Sequence, residues 1–310
     1  MEQIPYRPEG LNWPKEENRR ALSSALELER AFQNGRILEA RACLCDEEHR
    51  LHVDLGCMEG IIERNECALG IEEGTVRDVA IITRVGKPVC FKIIGFSFQA
   101  DGRPIALLSR RAAQEECIVR YIQYLTPGQI VEARVTHLEP FGCFTDIGCG
   151  VVALLPIDCI SVSRIAHPRD RFAVGQMIRA VIKSTEGGKI TLTHKELLGT
   201  WEENAALFTP GQTAAGIVRS VEPYGIFVEL TPNLSGLAEV KENVEPGQHA
   251  SVYIKNIIPR RMKVKLIIVD SFSAPSSLPP QPEYFTREES LTRWRYSPEA
   301  SDKLIETNFL

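Results

Sequence analysis

This 310-residue sequence lacks the features that mark a membrane or secreted protein. No apolar run approaches the roughly 18–20 residues that a membrane-spanning helix needs. The start, MEQIPYRPEG, has no basic stretch followed by an apolar core, so it does not resemble a secretory signal. The nine cysteines are odd in number and without regular pairing, which favours reduced thiols. We therefore predict a soluble, cytoplasmic protein with no membrane partner.

An excess of positive charge is also missing. The sequence has 36 Lys and Arg against 41 Asp and Glu, a formal net charge of -5. A strongly basic chain would by itself indicate a nucleic-acid partner, so any such argument must here rest on local clusters. Hydrophobic residues at 44% and charged residues at 25% are ordinary for a globular protein. The length allows two or three small domains, each with its own core.

Catalytic and cofactor motifs are missing as well. The sequence contains no GxxxxGK[ST], no HExxH and no GxSxG. The G-x-G at 148–150 has neither a third glycine nor a following helix, which excludes a dinucleotide site. Cys43, Cys45, His49 and His52 do not form the two ligand pairs of a structural zinc site. We expect no enzymatic activity, no metal or other cofactor and no small-molecule substrate.

The sequence does contain an internal repeat. EPFGCF at 139–144 returns as EPYGIF at 222–227, and LTPGQ at 125–129 returns as FTPGQ at 208–212. Both pairs have the same offset of 83 residues (222 − 139 = 208 − 125). Internal duplication is the strongest single signal for a fold, because each copy must form the same structural unit.

The offset shrinks further along the chain. AVGQMIRAVI at 173–182 matches EPGQHASVYI at 245–254 with an offset of 72 residues. The lost 11 residues fall where 158–172, here called the insert, faces the short 240–244. A length change of this kind is typical of a surface loop. The arginines in this predicted loop that we expect to contact phosphates are Arg164, Arg169 and Arg171.

The repeat units have the pattern of short β-strands, since they alternate with period two and are rich in β-branched residues. The predicted strands are 129–138, 142–148, 151–157, 177–184 and 189–195, and then 212–221, 225–231, 235–240, 250–257 and 263–269. Five short strands per unit, with one longer connection after the third, fit a small closed barrel better than an open sheet.

A third and weaker copy lies upstream. Its alternating segments are 34–44, 50–56, 89–96 and 103–111. When Leu55 is aligned with Ile147, His49 and His52 take the positions that Phe141 and Phe144 hold in the next unit. The aromatic signature is therefore replaced by imidazoles in the first unit.

These motifs together (PGQ, an alternating strand, EPFGCF, GLAE and K-(I/V)-x-L) resemble the S1 RNA-binding domain, an OB-type barrel. The tandem arrangement over 34–270 is similar to bacterial ribosomal S1 proteins. The resemblance implies a mainly β protein of three tandem five-stranded barrels. The predicted domains are an N-terminal extension with a helix (1–33), a degenerate barrel (34–116), two barrels (117–200 and 201–270), and a Pro/Ser-rich linker with a helical tail (271–310).

The resemblance also implies an RNA-binding face, with Phe141 and Phe144 in the second unit and Tyr224 and Phe227 in the third. In single-strand binders, bases stack on aromatic faces while basic side chains follow the phosphates. Residues three apart on a strand normally face opposite sides, so both rings share a face only if the backbone bends at the intervening glycine. The basic residues expected on this face are Lys189, Lys255, Arg260, Arg261, Lys263 and Lys265.

Other positions depart from the family pattern. Pro156 and Glu239 stand where family members often have a histidine in the third strand. Thr185 and Pro259 stand where an acidic residue often ends the fourth strand. The aromatic and basic positions are thus kept, while the histidine and the acid are lost.

The first unit has a different surface. His49 and His52 are flanked by Asp46, Glu47 and Glu48, and these carboxylates would repel phosphates. For this unit the sequence favours protein contact over RNA, with the small ribosomal subunit as the candidate partner.

The two ends of the chain carry helical signals. Residues 14–33 show an apolar stripe that predicts one amphipathic helix packed on the first barrel. Its members are Leu22, Ala25, Leu26 and Phe32. Thr286 with Glu289 resembles a capping box, and Ser297-Pro298 a second helix start. Between them, residues 293–296 (RWRY) are an additional candidate for stacking on bases.

We therefore predict a protein that binds single-stranded RNA or mRNA and acts in translation. The alternatives that stay open are a scaffold whose barrels bind only proteins, and a regulator of RNA decay that recruits a nuclease. Either aromatic of a pair could also serve core packing alone.

Overall fold

The computed structural model describes residues 6–274 and 281–309 and is mainly β, with three closed five-stranded barrels. The chain divides into two compact units. The first unit comprises Met1–Leu125 and Asp146–Val152, and the second comprises Thr126–Thr145 and Ala153–Leu310. The predicted Pro/Ser-rich linker falls partly on 275–280, which lie outside the described residues.

The first barrel is preceded by two short helices. The helices of this region are α1 (Glu16–Ala21), α2 (Ala25–Gln33), α3 (Val79–Ile82) and α4 (Arg110–Arg120). The strands are β1 (Ile37–Cys45), β2 (Leu51–Asp54), β3 (Glu59–Ile62), β4 (Pro88–Phe98) and β5 (Pro104–Ser109). They close in the order β1-β2-β3-β5-β4. The sequence prediction had no third strand here, because β3 has only four residues and no alternating pattern.

The second and third barrels follow the same plan. The second consists of β6 (Ile130–Glu139), β7 (Gly142–Asp146), β8 (Val152–Pro156), β9 (Met177–Ser184) and β10 (Thr191–Thr193). The helix α5 (Trp201–Ala205) leads to β11 (Thr213–Glu222), β12 (Gly225–Thr231), β13 (Leu234–Ala238), β14 (His249–Ile258) and β15 (Lys263–Phe272). In all three barrels the third and fifth strands pair in parallel and the other pairs that are described are antiparallel. The predicted fold of three OB-type barrels is thereby confirmed.

Strand alternation separates the core of each barrel from its outer surface. On β15 the side chains of Val264 and Leu266 are buried, whereas Lys263 and Lys265 are exposed. This is the period-two pattern expected for a strand with one face on a core and the other in solvent. The exposed faces of the barrels are therefore the surfaces on which a ligand can bind.

The N-terminal region forms two helices rather than the single helix predicted for 14–33. Helix α2 starts afresh at Ser24, whose hydroxyl accepts a hydrogen bond from the Glu27 N–H at 3.3 Å. Serine in this position competes with helix continuation and acts as an N-cap. The buried side chains of α2 are Leu28 and Ala31, while Leu26 of the predicted stripe is exposed. Because α2 begins anew after Ser24, it buries a different face from the one predicted for a single continuous helix.

The insert is not the exposed loop that the sequence suggested. Its backbone contacts the third barrel: Val162 N–H donates to Asn233 Oδ1 at 3.0 Å, and Ser163 N–H donates to the Pro232 carbonyl at 3.1 Å. Asn233 is fully buried and also donates through Nδ2 to the Lys195 and Gly199 carbonyls, each at 2.8 Å. A buried amide with all its partners in place fixes the second barrel against the third.

The C-terminal tail, residues 281–309, contains no helix, which corrects the prediction of a helical tail. The Thr286 hydroxyl accepts from the Glu288 N–H at 3.2 Å, and the Glu289 carbonyl accepts from Ile130 at 2.9 Å. The chain is therefore extended along the second barrel. It ends in a two-stranded sheet of β16 (Arg293–Arg295) and β17 (Glu306–Asn308).

Two aromatic residues of the tail, Trp294 and Tyr296, pack in the core of the third barrel. Trp294 and Tyr296 are only 7% and 5% exposed, and the Tyr296 hydroxyl donates to the Asn233 carbonyl at 2.5 Å. The prediction that residues 293–296 contact RNA by stacking is therefore wrong. Burying two large aromatic side chains outweighs the local helix signals.

Three further findings concern the described part of the chain. None of its helices is both long and apolar enough to span a bilayer. None of its His, Cys, Asp and Glu side chains form a group of three or more that could hold a metal ion. All nine cysteines are among the described residues and are free thiols.

Candidate nucleic-acid interface

The two predicted aromatic pairs lie on the outer surface of their barrels. The ring centroids of Phe141 and Phe144 are 6.0 Å apart at an interplanar angle of 83°, and those of Tyr224 and Phe227 are 6.2 Å apart at 86°. Phe141 is 55% exposed and Tyr224 is 70% exposed, while the second ring of each pair is half-buried. Each pair is thus an edge-to-face arrangement in which one ring keeps a free face.

The glycine between the two rings allows a close approach of strands. A Cβ atom at Gly142 would lie 2.5 Å from the Leu155 carbonyl oxygen. A Cβ at Gly225 would lie 2.7 Å from the Ala238 carbonyl oxygen. Any side chain there would push the second strand away from the third, so only glycine permits this local geometry. It is this geometry that brings both rings of the pair to one surface.

In the third barrel, strand register connects the aromatic pair to basic residues. Phe227 on β12 is opposite Leu237 on β13, and Leu237 is opposite Lys265 on β15. Neighbouring strands are about 4.8 Å apart, so Phe227 and Lys265 lie roughly 10 Å apart along one row. A base on the ring and a phosphate beside the lysine can belong to the same bound strand.

The basic residues predicted for the third barrel are all exposed, but they differ in their partners. Lys255 Nζ lies 3.7 Å from Glu239, and Arg260 Nε lies 3.1 Å from Asp302 in the tail. Of these five predicted residues, the three with no ion-pair partner within residues 6–274 and 281–309 are Arg261, Lys263 and Lys265. Unpaired cations can contact phosphate without first breaking another interaction, so these three are the strongest candidates.

The second barrel offers less positive charge. Lys189 is exposed but precedes β10 rather than opening it, and Thr191 occupies the register position of Lys265. Arg171, which the sequence suggested as a phosphate contact, is buried against Glu229 and cannot reach an external phosphate. The aromatic pair is therefore the main feature of this face.

In the first barrel, His52 takes the structural position of an aromatic ring. After a bulge in the first strand, His52 is opposite Leu44, as Phe227 is opposite Ser220. His52 Nδ1 lies 2.6 Å from Glu59, and its Nε2 lies 3.1 Å from Asp46. Burial opposes the charged ring, but these two carboxylates raise the pKa of His52 above its usual value.

The acidic surroundings of His52 were only partly visible in the sequence. Asp46 precedes His52 by six residues, whereas Glu59 belongs to β3, a strand that the sequence pattern does not reveal. Recognising β3 by its pairing with β2 would have identified Glu59. The face that carries the aromatic pairs in the other two barrels here presents carboxylates.

Comparison with known proteins places these features in a family context. Residues 124–195 match the family of the S1 RNA binding domain. The chain is 28% identical to the small ribosomal subunit protein bS1 of Rhodopseudomonas palustris over 264 residues, covering 81% of this chain and 44% of that protein. It is 29% identical to bS1 of Rhizobium meliloti over 188 residues, with coverages of 54% and 33%.

A further bS1 protein, from Leuconostoc lactis, is 32% identical over 178 residues, covering 52% of this chain and 41% of that protein. The matches thus cover less than half the length of each of these relatives. The predicted resemblance to the S1 RNA-binding domain and to bacterial ribosomal S1 proteins is confirmed.

Proposed function

We propose that this protein binds single-stranded RNA, in particular messenger RNA, through the outer faces of its second and third barrels. The observation that carries this proposal is the repeated aromatic pair, in which Phe141 and Tyr224 each keep more than half of their surface exposed. The match of 124–195 to the S1 RNA binding domain supports it.

The third barrel provides the stronger binding face. Stacking on an aromatic ring contributes about 1–3 kcal/mol per base and tolerates any sequence. The unpaired Lys263 and Lys265 lie on the same surface as Tyr224 and Phe227, so phosphate contact adds a salt-dependent contribution. The second barrel extends the footprint with its own pair but with fewer cations.

The first barrel contacts protein rather than RNA, with the small ribosomal subunit as the partner. His52 sits between two carboxylates, which disfavours phosphate. On β4 the outward side chains Ile94, Phe96 and Phe98 are exposed, and Phe98 is 74% exposed. Exposed apolar side chains that follow one strand are typical of a protein contact.

In this role the protein acts in translation in the manner of a bS1 protein, by binding rather than by catalysis, and in the cytoplasm. The similarity to small ribosomal subunit proteins supports this role. A scaffold that binds only proteins, or a regulator of RNA decay, would use the same first barrel. The partners that copurify with the protein from cells distinguish these roles.

Binding of a fluorescent RNA tests the central part of the proposal. The probe is a single strand of about 12 nucleotides, which is within the site size of two OB-type barrels. We expect the full-length protein to bind this strand more tightly than the same sequence as a duplex, with an affinity that falls as salt rises. Equal binding of both forms, or none, would contradict the proposal. Cosedimentation with purified small ribosomal subunits tests the role of the first barrel.

A further inference from the structure

The second compact unit contains a cavity of about 440 Å³ between the second and third barrels. Of the residues that the sequence predicts to contact RNA, only Arg171 of the insert lines it. Its apolar wall includes Phe172, Leu198, Leu207, Leu230 and Phe285. Its size and mainly apolar lining are typical of a site for a small molecule. Such sites usually also contain a few polar groups that orient the ligand.

One such polar group is His194. This residue lines the cavity and is 1% exposed. Its Nδ1 donates to the Ile160 carbonyl at 3.0 Å, which leaves Nε2 as a hydrogen-bond acceptor. Nε2 has no hydrogen-bond partner within the described residues. Burial lowers the pKa of His194 to about 4, so the imidazole is neutral at pH 7 and keeps this lone pair.

The second polar group is Arg171, which is 9% exposed and also lines the cavity. Its Nη2 donates to Glu229 at 2.5 Å, and its Nη1 donates to the Asp170 carbonyl at 3.4 Å. The Nε–H group has no partner in the described part of the chain. Two side chains of the cavity wall therefore carry one unused acceptor and one unused donor, and both side chains are more than nine-tenths buried. Native proteins rarely leave such atoms unpaired.

The charges around the cavity exclude an anionic ligand. Asp170, Glu229 and Glu283 line the wall together with Arg171. Arg219 reaches the same network and bonds to Glu229 at 2.8 Å. Three carboxylates and two guanidinium groups leave no net positive charge to bind a phosphate. The part of a ligand that enters the cavity must therefore be uncharged.

We propose that this cavity binds one nucleobase, either of a free nucleoside or of an unstacked nucleotide in RNA. A nucleobase is planar and neutral, has two apolar faces, and carries a donor and an acceptor side by side on its edge. Its donor would reach His194 Nε2 and its acceptor would receive the Arg171 Nε–H. Single-stranded RNA is read by proteins in this way, with splayed bases held between side chains and bonded at their edges. For a base in RNA, the inference deepens the proposed function and rests on it.

A matched pair of substitutions tests the site. Ala215 lies on β11 at the cavity wall with an exposed side chain, so Ala215→Trp fills the cavity without entering the barrel core. Thr213 is two residues earlier, on the same face of the strand, and does not line the cavity, so Thr213→Trp is the control. Adenosine, guanosine, cytidine and uridine are each titrated into the full-length protein and followed by saturation-transfer NMR. The fluorescent single-stranded RNA is titrated in parallel.

The two arms identify the source of the base. We expect Ala215→Trp to weaken binding by about tenfold or more, and Thr213→Trp to change it by less than about twofold. If this difference appears with a nucleoside, the site accepts free bases, and if it appears only with RNA, the site holds a base of the strand. If Ala215→Trp and Thr213→Trp behave alike with every nucleoside and with RNA, the inference is overturned.

The outcome also separates this inference from the proposed function. If RNA binding depends on Tyr224 and Phe227, and Ala215→Trp changes neither RNA binding nor nucleoside binding, the proposed function is retained and the cavity site is overturned. Nucleoside binding that is blocked by Ala215→Trp, in a protein that binds no RNA, would retain the cavity site and overturn the proposed function.

Discussion

The guanidinium of Arg171 lies 2.5 Å from the carboxylate of Glu229. Arg171 belongs to the insert of the second barrel, whereas Glu229 lies on β12 of the third barrel. Their side chains are only 8% and 6% exposed. Arg219 on β11 binds the same carboxylate through Nε at 2.8 Å and through Nη2 at 3.0 Å. One buried carboxylate thus holds two cations and joins the two barrels.

Removing that carboxylate should destabilise the second compact unit. In Glu229→Gln two guanidinium groups stay buried without their counter-ion, and we expect a loss of about 3–5 kcal/mol in the free energy of unfolding. Urea unfolding followed by the fluorescence of the buried Trp201 and Trp294 measures it. Glu202→Gln, at an exposed position on α5, is the control and should change stability by less than about 0.5 kcal/mol. Equal effects of both substitutions would contradict the role of Glu229.

The stability of the same unit should fall in acid because of His194. Burial lowers the pKa of His194 in the folded state to about 4, below its ordinary 6.5, so the unfolded chain binds a proton first as pH falls. The loss begins near pH 6.5, is complete below pH 4, and amounts to about 3 kcal/mol. His194→Phe should lack this contribution, so its unfolding free energy should depend less on pH across that window than that of the wild type. If the unfolding free energies of His194→Phe and of the wild type depend on pH to the same extent, His194 is not the source of this acid sensitivity.

In the first compact unit, Glu39 should have the opposite effect. Burial and the nearby Glu9 raise the pKa of Glu39 to about 7, although its Oε2 accepts N–H bonds from Gly10, Asn12 and Trp13. A carboxyl group whose folded pKa lies above the unfolded 4.5 costs stability as pH rises through 4.5 to 7.

Glu39→Gln keeps an acceptor oxygen without the charge. We expect it to stabilise the first unit by about 1–3 kcal/mol at pH 8 and by much less at pH 5. Hydrogen exchange of the first-barrel core measures this difference, with the exposed Glu16→Gln as control. A variant that is less stable than the wild type at pH 8 would show that Glu39 is held as a favourable anion.

The barrels were predictable from sequence because their determinants are local and repeated. The alternation of Val264 and Leu266 with Lys263 and Lys265 can be read directly from the sequence, and the motif EPFGCF returns as EPYGIF. The glycine in EPFGCF and EPYGIF also indicated that the backbone has a special geometry at this position. The structure shows that the reason for the glycine is the close approach of the third strand.

The joints between barrels were not predictable, because they depend on surfaces that exist only after folding. Asn233 bonds to the insert and to the segment before α5, and Trp294 packs in a core most of whose members come from the distant barrel strands. The helix signals around Thr286 are local and were outweighed by this burial. Strand β3, with four residues, was too short for its period to be recognised.

Salt dependence should distinguish free from paired cations in the third barrel. We expect Lys263→Gln with Lys265→Gln to weaken RNA binding and to reduce the slope of log affinity against log salt by about 1.4, since each phosphate contact on a single strand contributes about 0.7. Lys255→Gln with Arg260→Gln removes the same charge from residues that already face Glu239 and Asp302, and should change the slope less. Equal slopes for the two double variants would contradict phosphate contact by Lys263 and Lys265.

The most direct test of RNA binding is the affinity of Tyr224→Ala with Phe227→Ala for a fluorescent single-stranded RNA. Phe272→Ala removes another exposed aromatic ring of β15, seven residues along the strand from Lys265, and is the matched control. We expect the double substitution to weaken binding by about tenfold or more, at unchanged circular dichroism, while Phe272→Ala retains the wild-type affinity. An unchanged affinity of the double variant would contradict RNA binding by this aromatic pair.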